Sequence, residues 1–222
     1  MRPFLLPFLL ICFCFACENP GQKPASSPDS KELPTAAPKT STTNSDSLDT
    51  VANAAYQIIP GQRIGQISLG DAPKKVQAIL GAPDAGDAAM GKALATWYSK
   101  ATHPERHEVN VYTVRENTGL PTETVGVQQI RVTSPRFTVT GSQLSCGSSL
   151  SQIRKQFYGL TYIAHYRANG HNVFLYDAVE QGIAFEIRGQ DSTCVGIAIH
   201  PKHSPLAARY LPVHQNLEYL KQ

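Results

Sequence analysis

Seven histidines, five cysteines and 17 carboxylates are the side chains of this 222-residue chain that could do chemistry. His103 and His107 stand four apart, with Glu105 between them and Glu108 beside them. On a helix that spacing would put both imidazoles on one face, but Pro104 makes the segment a loop. His200 and His203 follow a strand-like run and could also pair as ligands. Neither set has the Cys/His spacing of a structural zinc site, and solvated loop histidines account for both. Acid–base chemistry is the second possibility. Asp177, Glu180, Glu186, His165, His171 and His200 fall in one stretch. Catalysis needs such a group within about 3 Å of the proton it moves, and alternation turns most of these residues to the solvent side of their strands. The chain has no G-x-S-x-G elbow, no phosphate-binding loop and no H-E-x-x-H pair. The residues therefore nominate no catalytic, metal or cofactor-binding site and no cofactor. A hydrolase built from the His and carboxylate set stands as the alternative to a non-enzymatic role.

The cysteines divide into two groups. Cys12, Cys14 and Cys17 lie at the N-terminus; Cys146 and Cys194 lie far along the chain. Around the first group, Arg2 precedes an apolar run from Phe4 to Ala16 that Pro7 interrupts. The run is shorter than the roughly 20 residues that span a bilayer and suits the apolar core of an export signal over residues 1–16. Small Ala16 just before Cys17 resembles the lipobox of bacterial lipoproteins. That resemblance implies cleavage before Cys17, a lipid on Cys17 and anchorage to a membrane, the outer membrane first among them. An ordinary secretory signal cut nearby is the rival reading. In an oxidising compartment, Cys146 and Cys194 are expected to pair as a disulfide. The bond would close a loop of about 49 residues, worth about 4 kcal/mol in the chain-entropy model. The alternative is a reactive thiol at Cys146, which precedes a helix start where thiol pKa values fall.

Charge excludes one class of partner. The chain carries 20 basic and 17 acidic side chains, and removing residues 1–16 leaves 19 against 17. Its longest basic cluster is Lys74-Lys75. Nucleic-acid binding needs a basic face, and none is written here.

These residues must be held by elements, and the sequence punctuates them clearly. Residues 17–55 hold five prolines among Ser, Thr, Ala, Asp and Lys, with no aromatic residue. Such a composition cannot offset its ordering entropy, so a disordered tether of about 35 Å root-mean-square span is expected. Gly70 to Pro83 reads as a short helix. Asp71 caps it, Pro73 starts it, Val76, Ile79 and Leu80 make one apolar face, and Gly81 and Pro83 stop it. A weaker copy runs from Gly147 to Phe157, with Ser148 as cap and Leu150, Ile153 and Phe157 on one face. Strands are expected after each helix. The first set is Leu94–Tyr98, Glu108–Val114 and Thr124–Thr133, with a bulge where the apolar spacing changes phase between Val127 and Ile130. The second is His171–Tyr176, Gly182–Ile187 and Thr193–His200, with Leu160–Tyr166 as a possible further strand and Asn169-Gly170 as a tight turn.

The fold class expected is α+β, as two tandem units of a helix followed by antiparallel strands, over 56–135 and 136–203, with a helical tail over 204–222. The rival reading is one irregular α+β domain. The run Gly70-Asp71, Val76, Leu80-Gly81-Ala82-Pro83 and its following strands resemble the small α+β module of outer-membrane lipoproteins that attend β-barrel assembly. The tandem arrangement is similar to β-lactamase inhibitor protein. The resemblance implies an envelope location and no particular functional residue. The expected function is a lipid-anchored cell-envelope protein that acts through protein contacts, with an exposed aromatic sheet face or an open strand edge meeting a partner. Small-ligand binding between the units is a further alternative.

Overall fold

The computed structural model describes residues 54–102, 106–206, 214 and 216–220, all within the unit Thr43–Gln222. The expected signal, Cys17, nearly all of the tether, His103 and much of the expected helical tail lie outside the described residues.

Thirteen strands and two helices follow one another in the described chain. β1 (Gln57–Ile59), β2 (Arg63–Ile64) and β3 (Ile67–Ser68) come first, then α1 (Pro73–Leu80). Four longer strands follow: β4 (Ala85–Ala89), β5 (Lys92–Tyr98), β6 (Glu108–Glu116) and β7 (Thr124–Val132). After β8 (Thr138–Val139) and α2 (Leu150–Gln156) come β9 (Thr161–Ala168), β10 (His171–Ala178), β11 (Ile183–Arg188), β12 (Thr193–Ile199) and β13 (Glu218–Tyr219). The order β13-β9-β10-β11-β12-β7-β6-β5-β4 makes one nine-stranded sheet, and β3-β2-β1-β8 a second of four short strands.

This overturns the expected α+β class of two tandem units. Strand makes up 46% of the residues and helix 11%. The helical patterns are real, but α1 and α2 are only eight and seven residues long. The strands of both halves join one sheet, because β7 and β12 pair antiparallel with Val132 opposite Ile197 and Ile130 opposite Ile199. The apolar faces of two-turn helices are too small to close a core of their own. Instead they cap one shared with the sheets.

That core lies on one face of the large sheet. Val111, Val127, Ile130, Val132, Phe185, Ile187, Ile197 and Ile199 pack there against Val76 of α1, Ile153 of α2, and Ile58, Ile64, Ile67 and Val139 of the small sheet. Each fully buried aliphatic or Phe side chain contributes about 1.5–3 kcal/mol relative to exposure. α1 is docked by its lead-in. Gly70 donates to Val127 O at 2.7 Å, and Val127 donates to Asp71 O at 3.0 Å. A Cβ on Gly126 would stand 3.1 Å from Gly70 O, so a side chain there would push this lead-in outward by a few tenths of an ångström, and glycine on β7 avoids that.

Local chemistry refines the caps. Asp71 does not cap α1: its Oδ2 accepts from Ser68 N at 2.9 Å, its Oδ1 pairs with Lys75 Nζ at 2.7 Å, and Ala72 holds the N-cap position without a side-chain bond. Ser149, not Ser148, caps α2, in a reciprocal box with Gln152. The phase change in β7 is a register shift: Tyr112 faces Gln129 while Thr113 faces Val127, leaving Gln128 as the extra residue. Asn169 and Gly170 both take positive φ, 50° and 79°, and join β9 to β10. Glu218–Tyr219 is a strand on β9 where a helical turn was expected.

Candidate functional site

Pairing and alternation place a second set of side chains on the opposite face of the large sheet. Glu186 on β11 and Arg131 on β7 are separated there by β12, whose residues opposite them are Gly196 and Ala198. A Cβ on Gly196 would lie 2.3 Å from Glu186 Oε2. The missing side chain is what lets the carboxylate reach across a strand. Arg131 Nε donates to Glu186 Oε1 at 2.7 Å and Nη2 to Oε2 at 2.6 Å, while the Tyr166 hydroxyl donates to Oε2 at 3.0 Å. Arg131 Nη1 is shared by Asn110 Oδ1 at 2.7 Å and Glu108 Oε2 at 3.1 Å, and Asn110 Nδ2 donates to Thr96 Oγ1 at 2.9 Å. The two charged side chains are 5% and 2% exposed. Burial works against the Glu186 carboxylate. The charge and hydrogen bonds of Arg131, with lesser help from His214 and Tyr166, outweigh it and hold its pKa below the ordinary value. His214 stacks on Tyr166 with ring centroids 3.7 Å apart. Its pKa is lowered by burial and by Arg131, against the pull of Glu186 and Glu108.

The six acid–base candidates do not converge. Only Asp177 and His200 meet. His200 Nε2 lies 2.9 Å from Asp177 Oδ1, and the two side chains are 1% and 0% exposed. The other ring nitrogen, Nδ1, lies 3.0 Å from Pro201 O, where it can only donate, and Asp177 Oδ2 accepts from Leu206 N at 2.9 Å. Both nitrogens are committed, so this pair clasps residues 200–206 to the sheet and has no atom left to move a substrate proton. Leu206, itself buried, packs there on Ala164, Leu175 and Ala184. His165 bonds Tyr162 at 3.0 Å and faces Glu218 at 3.4 Å. Glu180 pairs with exposed His203 at 2.7 Å, Glu186 is taken by Arg131, and His171 stands exposed at the β10 hairpin. Among the described residues no three His, Cys, Asp or Glu side chains are grouped to hold a metal ion.

Cys146 and Cys194 do come together. Both are buried thiols. Gly147 N donates to Cys194 O at 2.8 Å and Cys194 N to Ser148 O at 2.8 Å. The Cys194 thiol pKa is pushed well up by its hydrogen bond with Cys146 and by burial. The Cys146 thiol also faces Val132 O at 3.7 Å.

A concave surface lies at the end of the sheet where β5 finishes and β6 begins. Tyr56, Trp97, Tyr98 and Phe137 line a groove of about 560 Å³, with Arg136 and Glu108 on it. Tyr56 and Phe137 meet edge to face at 5.3 Å. The Trp97 indole is fixed by donating from Nε1 to Gly81 O at 3.2 Å, at the end of α1. Arg136 Cζ lies 4.2 Å over the Tyr56 ring and Arg106 Cζ lies 4.1 Å over Tyr98. Neither arginine has a carboxylate partner among the described residues, and Glu108 is engaged by Arg131. A neighbouring cavity of about 520 Å³ shares His107 and Glu108 with the groove and is walled by Arg106, Arg131, Cys146 and Cys194.

Sequence reasoning expected an exposed aromatic sheet face without singling out the groove's residues, and it missed Arg106, Arg136 and the Arg131–Glu186 pair. A signal for the pair was present: each charge interrupts an apolar strand run, and a glycine sits mid-strand in β12 between them. No protein-family model, curated protein or solved structure matches this chain.

Proposed function

We propose that this chain is a lipid-anchored, non-enzymatic binding module of a bacterial cell envelope that holds a partner protein in the aromatic groove. Cys17 carries the lipid, residues 17–55 set the body off from the membrane, and Cys146 and Cys194 close as a disulfide. The observation that supports this reading is the contrast between two sites. The pair that meets among the six acid–base candidates, His200 with Asp177, is sealed and fully bonded, whereas the open concavity is walled by aromatic rings, and Arg136 on it and Arg106 over its Tyr98 have no carboxylate partner among the described residues. Aromatic side chains and arginine are the groups on which protein partners spend most of their binding energy.

The test uses the full chain in its native envelope. A photo-crosslinking residue at Ser134, which lines the groove, should give a discrete protein adduct. The same residue at exposed Gln190 should not, Trp97→Ala should abolish the adduct, and Cys17→Ser should release the chain from the membrane fraction. Equal adducts from both positions, or none from Ser134, sink the binding reading. Unchanged fractionation of Cys17→Ser sinks the anchor.

A further inference from the structure

We infer that the groove recognises an acidic peptide segment, and that two arginines bind its carboxylates: Arg136 on the groove wall, and Arg106, which walls the adjoining cavity and lies over the groove's Tyr98. The inference rests on the reading of the groove as the partner site. Both guanidinium carbons lie over tyrosine rings, Arg106 Cζ 4.1 Å from the Tyr98 centroid and Arg136 Cζ 4.2 Å from the Tyr56 centroid. Stacking spends the face of a guanidinium on the ring and leaves its in-plane N–H donors pointing outward. Those donors form a planar fork that matches a carboxylate bidentately. Both side chains are exposed, yet each is already oriented, so less rotamer freedom is lost when a carboxylate arrives.

Charge points the same way. Of the arginines at this end of the sheet, Arg131 is neutralised by Glu186 and Glu108, and Arg188 by Asp191 at 2.6 Å. Asp191's own pKa is drawn down to about 2, first by its hydrogen bond from Arg188. Arg106 and Arg136 remain without a carboxylate among the described residues. Glu108, the one acidic side chain on the groove wall among the described residues, is held by Arg131. Beside Arg136 the groove is lined by Tyr56, Phe137, Trp97 and Tyr98. An extended segment with alternate side chains acidic and apolar or aromatic satisfies both parts: acids on the cations, rings on the aromatic lining.

The experiment measures fluorescence anisotropy with the full-length protein and two labelled peptides. In one, Asp and Glu alternate with Tyr and Phe; in the other, Asn and Gln replace the acids. The acidic peptide should bind more tightly by about tenfold or more at low salt, the worth of one charge-assisted contact. Arg106→Gln and Arg136→Gln should each remove most of that preference, and added salt should erode it. Arg167→Gln, at an exposed arginine away from the groove, should change nothing. Thermal melts of the variants matching the parent confirm intact folding. Equal affinity for the two peptides, or a preference that survives both substitutions, overturns the inference. If neither peptide binds while the Ser134 adduct still forms, the inference falls alone; if the adduct is also absent, the partner-site reading falls with it.

Discussion

At the scale of single residues, Glu186 and Arg131 are the sharpest commitment in the molecule. Two charges were removed from water, and each now depends on the other. Arg131→Met would strand the carboxylate, a cost of about 3–5 kcal/mol in comparable buried pairs. Adding Glu186→Leu should return most of it, and urea unfolding of the three proteins checks the pattern. Acid should reproduce the single mutant. The Glu186 pKa is depressed from its ordinary 4.5, so its contribution is intact above that value and is lost as pH falls through the folded pKa. The parent should therefore weaken below about pH 4.5, and the double variant should weaken less. Little of this was legible beforehand. Alternation says which residues share a face, but it assigns the polar face to water. Here Tyr166, Asn110 and Thr96 close that face over with hydrogen bonds, a long-range outcome that no local window carries.

At the scale of elements, the caps separate what sequence can and cannot locate. Ser149→Ala removes a reciprocal cap and should cost about 1 kcal/mol. Asp71→Ala breaks a bond to Ser68 and a solvent-exposed ion pair with Lys75, and should cost clearly less. Denaturant midpoints of the two variants decide, and an equal loss would mean that Asp71 supports α1 after all. Strands rich in β-branched residues, β6, β7, β11 and β12, were readable, as was a bulge between Val127 and Ile130, which the pairing places at Gln128. β4 was not. Ala-Gly-Asp-Ala-Ala has no strand preference of its own, and all five residues are exposed. It is a strand because Met90 and Gly91 turn the chain back at positive φ and β5 supplies its partners. The small sheet was equally hidden, since β1 meets β8 from about 80 residues away, and no periodicity survives in strands of two or three residues.

For the described body as a whole, the consequential junction is the seam between β7 and β12. Only three residue pairs register across it, yet it joins the strands of both halves. The neighbouring thiols brace this line: Cys194 sits on β12, and Cys146 faces the last carbonyl of β7. Exchange with a protein disulfide of an oxidising compartment would pass two electrons and two protons to that disulfide, which leaves as a dithiol, and would form the Cys146–Cys194 bond beside the seam. Protein isolated from its native cells without reductant should then take up no alkylating agent when unfolded. Reduction should lower its melting temperature, while the Cys146→Ser, Cys194→Ser double variant should not respond to reductant. Alkylation of both sulfurs in the isolated protein would remove the bond from the account. The groove at the end of the same sheet has its own consequence. Trp97 is the chain's single tryptophan, pinned by Gly81 and facing that concavity. Every photon the protein emits as tryptophan fluorescence therefore originates at the groove wall, so the unlabelled molecule reports optically on whatever settles there.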